Sequence, residues 1–324
     1  MPFTVVVCDV TACLMMNRSM LSLVKRRSPG RECPAPSLYR RIVSSLQCVC
    51  QNVLGRTLED LLSNHTEEDE DGRKLTLFRY NGKTYPPFGE VTFRQLKDMT
   101  VRDDDVFLMG YPKTGCHWTF EVLRMMLQGE AKLSDKTKMQ SFIDVVNPTK
   151  LETLPSPRIL NSHVLFEDMP RQVAEKKTKI ILTVRNPKDT AASFYNHHAK
   201  IPEYTYDGTF NKWFPLYLSG RVDYGSYFDY YKSWDDTVKE NPDQPILVLS
   251  YEDMKEDLPR EIRRLSQFLG ISVSDSLVEE ICEAAGVNNM KQSFGKRMSN
   301  NMDTMSDRAE TRTQEPAILR LQVR

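Results

Sequence analysis

Long apolar runs are missing from this chain: no stretch of eighteen or more apolar residues occurs, so no segment has the length needed to cross a bilayer as a helix. Neither sign of charge is in excess. Lys plus Arg total 44 and Asp plus Glu total 44, and a formal net charge of zero gives no global pull toward nucleic acid or an anionic membrane. Any anion site must therefore be local. Cys-x-x-Cys spacing is absent, and the seven cysteines (Cys8, Cys13, Cys33, Cys48, Cys50, Cys116 and Cys282) are odd in number. Neither a zinc site nor a disulfide framework is read from them, and the expectation is reduced thiols in a cytoplasmic protein. No internal repeat is visible.

What is there divides unevenly. Residues 1–73 read as a poorly ordered basic extension followed by an acidic linker. Arg18, Lys25, Arg26, Arg27, Arg31, Arg40, Arg41 and Arg56 face only Asp9 and Glu32 before Glu59, a composition shared with organelle transit segments. The run Glu67-Glu68-Asp69-Glu70-Asp71-Gly72 is of one sign, which favours a solvated linker. Order is expected from Lys74, where Leu75 to Tyr80 alternates and Asn81-Gly82 supplies a hairpin turn. A single domain is expected over residues 74–292, with an atypical tail over 293–324.

Four short segments read as strands: Val106 to Met109 and Ile246 to Leu249, both continuously apolar, Lys179 to Val184, and Arg158 to His163, which ends at His163. Helical patterns lie between and after them. Trp118, Val122 and Met125 recur at helical spacing; Pro187 suits a first helical turn; Tyr227, Tyr231, Trp234 and Val238 form an aromatic stripe on a helix expected from Asp223 to Glu240. Leu258, Ile262, Leu265 and Leu269 mark another helix, closed by Gly270. Strands alternating with helices predict an α/β fold, a doubly wound parallel sheet with helices on both faces. Ligands bind such sheets at the carboxyl ends of the strands, and Lys113, His163, Arg185 and Tyr251 each stand at or just past one of those ends.

The first of these strands leads into Gly110-Tyr111-Pro112-Lys113-Thr114-Gly115, a strand, loop and helix in the manner of a phosphate loop. Its order differs from the nucleotide loop that ends Gly-Lys-Ser/Thr, because Lys113 precedes the last glycine, and this speaks against an ordinary ATPase or GTPase. Backbone N–H groups at the helix start, together with the Lys113 charge, favour a phosphate or sulfate ester. His163 can accept a proton from a hydroxyl or amine near neutral pH, and Lys113 can neutralise charge growing on a leaving oxygen. Those roles fit group transfer from a nucleotide to a neutral acceptor.

Tyr111-Pro112-Lys113-Thr114-Gly115 with Trp118, Ser156-Pro157-Arg158 through His163, Arg185-Asn186-Pro187-Lys188-Asp189 with Ser193, Tyr224-Gly225-Ser226, and Tyr251 to Lys255 together resemble the cytosolic sulfotransferases. The resemblance spans residues 75–291 and implies a P-loop-like sulfotransferase architecture with 3′-phosphoadenosine 5′-phosphosulfate (PAPS) as donor and no required metal. It implies that Lys113, Thr114, Gly115, Cys116, His117 and Trp118 bind the 5′-phosphosulfate, with Trp118 on the adenine. Arg185 and Ser193 would hold the 3′-phosphate, Tyr251 would contact the adenine, and His163 would be the catalytic base. The acceptor would be a small phenol, steroid, alcohol or amine, with no nucleic acid or membrane partner. Phe142, Phe166, His197 and His198 are candidate pocket residues, each also open to a packing role.

The chain departs from that family in named places. Cys116-His117 stands where two threonines are usual, Asn161 stands where many members carry a lysine near the sulfuryl group, and Val287 where a phenylalanine often meets the adenine. Past Met290-Lys291 neither the usual Arg-Lys-Gly segment nor a Gly-Asp-Trp segment occurs, Gly295-Lys296-Arg297 coming too early, and the lysine-containing dimer motif is absent, which leaves a dimer open. Two other readings stay open: another P-loop small-molecule transferase, and a non-catalytic or donor-impaired member of the fold.

Overall fold

The central sheet of the computed structural model is parallel, with four strands in the order β5-β4-β6-β7: β4 is Val106–Gly110, β5 Ile159–Ser162, β6 Lys179–Val184 and β7 Ile246–Ser250. The structure describes residues 64–88, 90–134, 138–286, 288–290 and 292–293, all within the unit Glu59–Arg324. The readings made on residues 1–63, on Val287, on Gly295-Lys296-Arg297 and on the tail lie outside the described residues.

Alternation along the strands explains why helices cover both faces. Phe107, Met109, Leu160, Ile180 and Leu182 point to one face, into a core shared with Phe194, Trp213, Tyr217, Tyr230 and Trp234. These come from α2 (Pro187–Lys200), α3 (Phe210–Leu218) and α4 (Tyr227–Glu240). Val106, Leu108, Ile159, Ile181 and Leu249 point to the other face, where Val122, Met125, Ile262, Leu265 and Ile281 meet them. Their helices are α1 (Cys116–Gln128), α6 (Leu258–Leu269) and α7 (Asp275–Ala284), with the short α5 (Tyr251–Glu256) opening directly from β7. The doubly wound α/β fold expected from the pattern is the fold observed.

A second sheet corrects the reading of the acidic linker. β1 (Asn64–Glu68), β2 (Lys74–Tyr80) and β3 (Lys83–Tyr85) form an antiparallel meander with Glu67 opposite Leu75, so the ordered domain takes in residues 64–73. The like charges fold because they find partners, Glu68 in nearby Lys74 and Glu70 and Asp71 in distant Lys212. Glu67 accepts from Arg221 at 2.6 Å, and Asp69, buried, accepts from the Asp71 and Arg73 N–H groups and from Tyr206 Oη at 2.7 Å. Gly82-Lys83-Thr84 carries a Gly-Lys-Thr order, but it belongs to this meander. Lys83 pairs with Glu167 and Asp168, and Thr84 donates its hydroxyl to the Val222 carbonyl.

The aromatic stripe is also shifted. Helix α4 starts at Tyr227, capped by Ser226, because Tyr224 and Gly225 both adopt positive φ (62° and 74°) and turn the chain before it. Its buried face runs Tyr227, Tyr230, Trp234 and Thr237, while Val238 is 40% exposed. Spacing of three and four residues allowed both stripes, and the turn at Tyr224 selects this one.

One buried ion pair ties the amino ends of β4 and β5 together. Arg158 Nε donates to Asp105 Oδ1 at 2.7 Å, its Nη2 reaches Oδ2, and its other donors go to the Leu151 and Thr100 carbonyls. Both side chains are almost fully buried. Replacing Arg158 with Met strands the Asp105 carboxylate in the core and is expected to cost about 3–5 kcal/mol in urea unfolding; a loss below about 1 kcal/mol would contradict the pairing as described.

Candidate active site

The loop after β4 is held open from beneath. Thr114 Oγ1 donates to the Tyr111 carbonyl at 2.7 Å and meets Thr183 Oγ1 at 2.9 Å, while Cys116 Sγ lies 3.3 Å from the same Thr183 hydroxyl. Both side chains are buried against β6, so Thr114 and Cys116 offer the loop's mouth their backbone and not their side chains. Thr183, which nothing in the sequence marked, is the floor of the loop. Tyr111 fixes the other flank, its hydroxyl donating to the Gly225 carbonyl at 2.7 Å and its ring edge-on to Phe194, Tyr217, Tyr227 and Tyr230. Lys113 takes φ 72° and Gly115 φ 101°. A side chain at Gly115 would also meet Tyr251 Cδ2 at 2.7 Å, so this glycine allows the ring to close over the loop. No side chain caps the start of α1, which leaves its first N–H groups and dipole for an anion.

Lys113, Tyr251, Arg185 and Trp118 come together around that mouth. Arg185 Nη1 donates to the Lys113 carbonyl at 3.1 Å, its guanidinium lies 4.4 Å from the Tyr251 ring centroid, and its buried Nε has no partner among the described residues. An unpartnered guanidinium N–H beside a helix start suits a phosphate oxygen. The Trp118 ring stands edge-on to Tyr251 at 5.5 Å, and its Nε1 donates to the Ala285 carbonyl at 3.0 Å. Ser193 sits half-buried on α2, the helix that opens just past Arg185, and His117 is exposed on α1. Burial and the charges of Lys138, Arg185 and Lys200 hold the Lys113 ammonium below the usual lysine range.

His163 follows β5, across from the loop. Its Nδ1–H donates to the Gly110 carbonyl at 2.6 Å, which fixes the tautomer and leaves Nε2 with a lone pair. Burial, and then the Lys138 charge, keep the imidazole well below its usual pKa, so it is neutral at pH 7. Asp144 anchors it from behind, accepting the His163 N–H at 3.1 Å, the Tyr224 hydroxyl at 2.7 Å and the Ser162 hydroxyl. Burial raises the Asp144 carboxyl to about 6. Asp144 and Lys138 come from the variable segment between α1 and β5, which carried no motif.

The pocket candidates separate. Phe142 is buried and edge-on to His163 at 5.2 Å, matched by Tyr224 on the other side at 5.4 Å, so the base sits between two rings. His197 packs on Tyr204 and Phe194, and burial, then the Lys113 charge, hold it down to about 3. Phe166 is placed elsewhere: its ring meets Trp234 at 6.0 Å, and it lines a surface groove with Asp229, Lys232 and Asp236. His198 is consumed by the core, accepting from Trp213 Nε1 at 2.8 Å and donating to Asp223 at 2.6 Å.

An anion loop at the carboxyl edge of a parallel sheet, ringed by cations and faced by a neutral imidazole, defines a P-loop-like α/β transferase of anionic groups. The chain belongs to the sulfotransferase family: the family model described as "Sulfotransferase domain" matches residues 103–317. It is 32% identical over 228 residues to mouse (Mus musculus) sulfotransferase 6B1, covering 68% of this chain and 74% of that protein. It is likewise 32% identical over 211 residues to Mus musculus sulfotransferase 1A1, covering 62% and 72%. Among solved structures, mouse sulfotransferase SULT7A1 complexed with PAP aligns with a TM-score of 0.59 and 33% identity, covering 66% of this chain and 76% of that one. No helix among the described residues is long and apolar enough to cross a membrane.

Proposed function

We propose that this protein transfers the sulfuryl group from PAPS to a hydroxyl or amine of a small-molecule acceptor, with His163 as general base. The observation that carries the reading is the His163 tautomer: Nδ1 is committed to the Gly110 carbonyl, so Nε2 is the free basic atom beside the phosphate loop. His163 Nε2 takes the acceptor proton as the acceptor oxygen or nitrogen bonds to sulfur. Lys113 and the N–H groups at the start of α1 neutralise the bridging oxygen as its bond to sulfur breaks and the phosphate-bearing product leaves. Arg185 and Ser193 hold the 3′-phosphate, while Trp118 and Tyr251 flank the adenine. Phe142, Tyr224 and His197 wall the acceptor side, whose aromatic surface suits a phenol, steroid or other apolar alcohol or amine. PAP bound in the related mouse structure supports this choice of donor. A cytoplasmic setting goes with free thiols at Cys116 and Cys282.

Thermal melting with and without PAPS tests the donor claim. At a hundredfold excess over Kd, binding stabilises the fold by about 2.7 kcal/mol, a rise in Tm of roughly 5–10 °C for a domain of this size. An unchanged Tm at millimolar PAPS would sink it, and a shift with ATP and magnesium instead would favour a kinase-like transferase.

A further inference from the structure

Lys138 is a buried ammonium that the mechanism above does not use. It lies at the start of the turn Lys138–Ser141 and is 4% exposed. Its Nζ donates to Asn161 Oδ1 at 2.9 Å and lies 4.7 Å from the Phe142 ring centroid. It makes no ion pair among the described residues. Asp144 acts on it only through space, since both Asp144 oxygens are taken by Ser162, Tyr224 and the His163 N–H. Asn161, fully buried, grips the same turn from its other end: Nδ2 donates to the Lys138 carbonyl at 2.9 Å and to Ser141 Oγ at 3.1 Å. The ammonium is thus fixed in place, not left to swing.

A buried cation without a counter-ion is costly, and a fold that also pins it is arranged for an anion that arrives later. Its position tells which anion. Phe142, the ring it covers, touches His163, and Asn161 stands two residues before His163 on β5. Arg185, by contrast, stands at the far side of the loop, on the Lys113 carbonyl and Tyr251. We infer that Lys138 is a third cationic contact of the donor site, holding the sulfuryl oxygens between Lys113 and His163, and that Asn161 is its positioning residue. This rests on the donor reading above. Two cations, Lys113 and Lys138, then flank the transferred group, with Arg185 left to the 3′-phosphate, while the base beside them stays neutral.

Calorimetric titration of wild type and Lys138→Met with PAPS and with PAP, which lacks the sulfuryl group, tests the inference. Removal of one charge-assisted hydrogen bond is expected to weaken PAPS by about 10- to 100-fold, with PAP changed by no more than about 2-fold. Deleting an uncompensated charge should leave Tm unchanged or raised. Moving the amino group across the pair, in Lys138→Met with Asn161→Lys, should recover most of the PAPS affinity. Equal losses for both ligands, no loss for either, or a lowered Tm with both affinities intact would overturn it. Failure of wild type to bind PAP would instead overturn the donor site itself.

Discussion

His163→Ala is expected to cut sulfuryl transfer by about 10²- to 10⁴-fold, the usual contribution of a positioned general base, while PAPS affinity changes little. The split follows from where the imidazole sits. It bonds the Gly110 carbonyl at the back of the loop and stands between Phe142 and Tyr224. It makes no bond to Arg185, Tyr251 or Trp118. Equal turnover by mutant and wild type would remove His163 from the mechanism, and a parallel loss of donor binding would make it structural. The pH profile gives a second handle. Because the folded-state pKa is depressed, His163 is already neutral at pH values where a free histidine would gain a proton, so kcat/KM should stay flat from pH 8 down to about 6.5. The acid limb belongs lower, where Asp144, raised to about 6, takes a proton and loosens its hold on the His163 N–H. A limb centred at or above about pH 6.5 would contradict the buried, unprotonated base.

Lys113→Met is the other large effect. Methionine keeps the length of the side chain and removes its charge, and the loop conformation itself rests on Thr114, Tyr111 and Gly115. The expected loss is about 10²- to 10³-fold in kcat, the scale seen when one preorganised donor to a developing anion is removed. PAPS affinity should fall as well, since Lys113 faces the ground-state anion too. The depressed Lys113 pKa adds a sign: as pH rises, the ammonium is lost earlier than in a free lysine, so donor affinity should decline on the alkaline side sooner than an ordinary lysine would allow. A kcat within about 3-fold of wild type would show that the helix N-terminus carries the anion without Lys113.

Three of the four core strands were legible as short, largely apolar runs, as expected of strands in a covered parallel sheet; the fourth, Ile159–Ser162, is half polar and buries Asn161 and Ser162 as well. The loop was legible too, with Lys113 and Gly115 where a turn and an anion both ask for them. Three things were not. The run Glu67 to Asp71 showed only like charge, since Arg221, which pairs with Glu67, and Tyr206, whose hydroxyl donates to Asp69, lie more than a hundred positions away. Thr114 and Cys116 looked like ligand-facing side chains, but at the turn they point down at Thr183. Lys138 and Asp144 had no motif to carry them, because their meaning comes from Asn161 and His163, neighbours that only the folding of the segment onto β5 supplies. Phe166 shows the converse: an aromatic placed three residues after the base by sequence, yet turned by the helix Phe166–Asp168 onto Trp234.

The most direct measurement is transfer of labelled sulfate from PAPS to a panel of phenols, steroids, alcohols and amines, run side by side for wild type and His163→Ala. Labelled product with wild type and a collapse of at least about 10²-fold with the variant is the predicted outcome. No labelled product from any acceptor, with PAPS bound and the fold intact, would contradict catalysis and leave a donor-binding protein on the same scaffold.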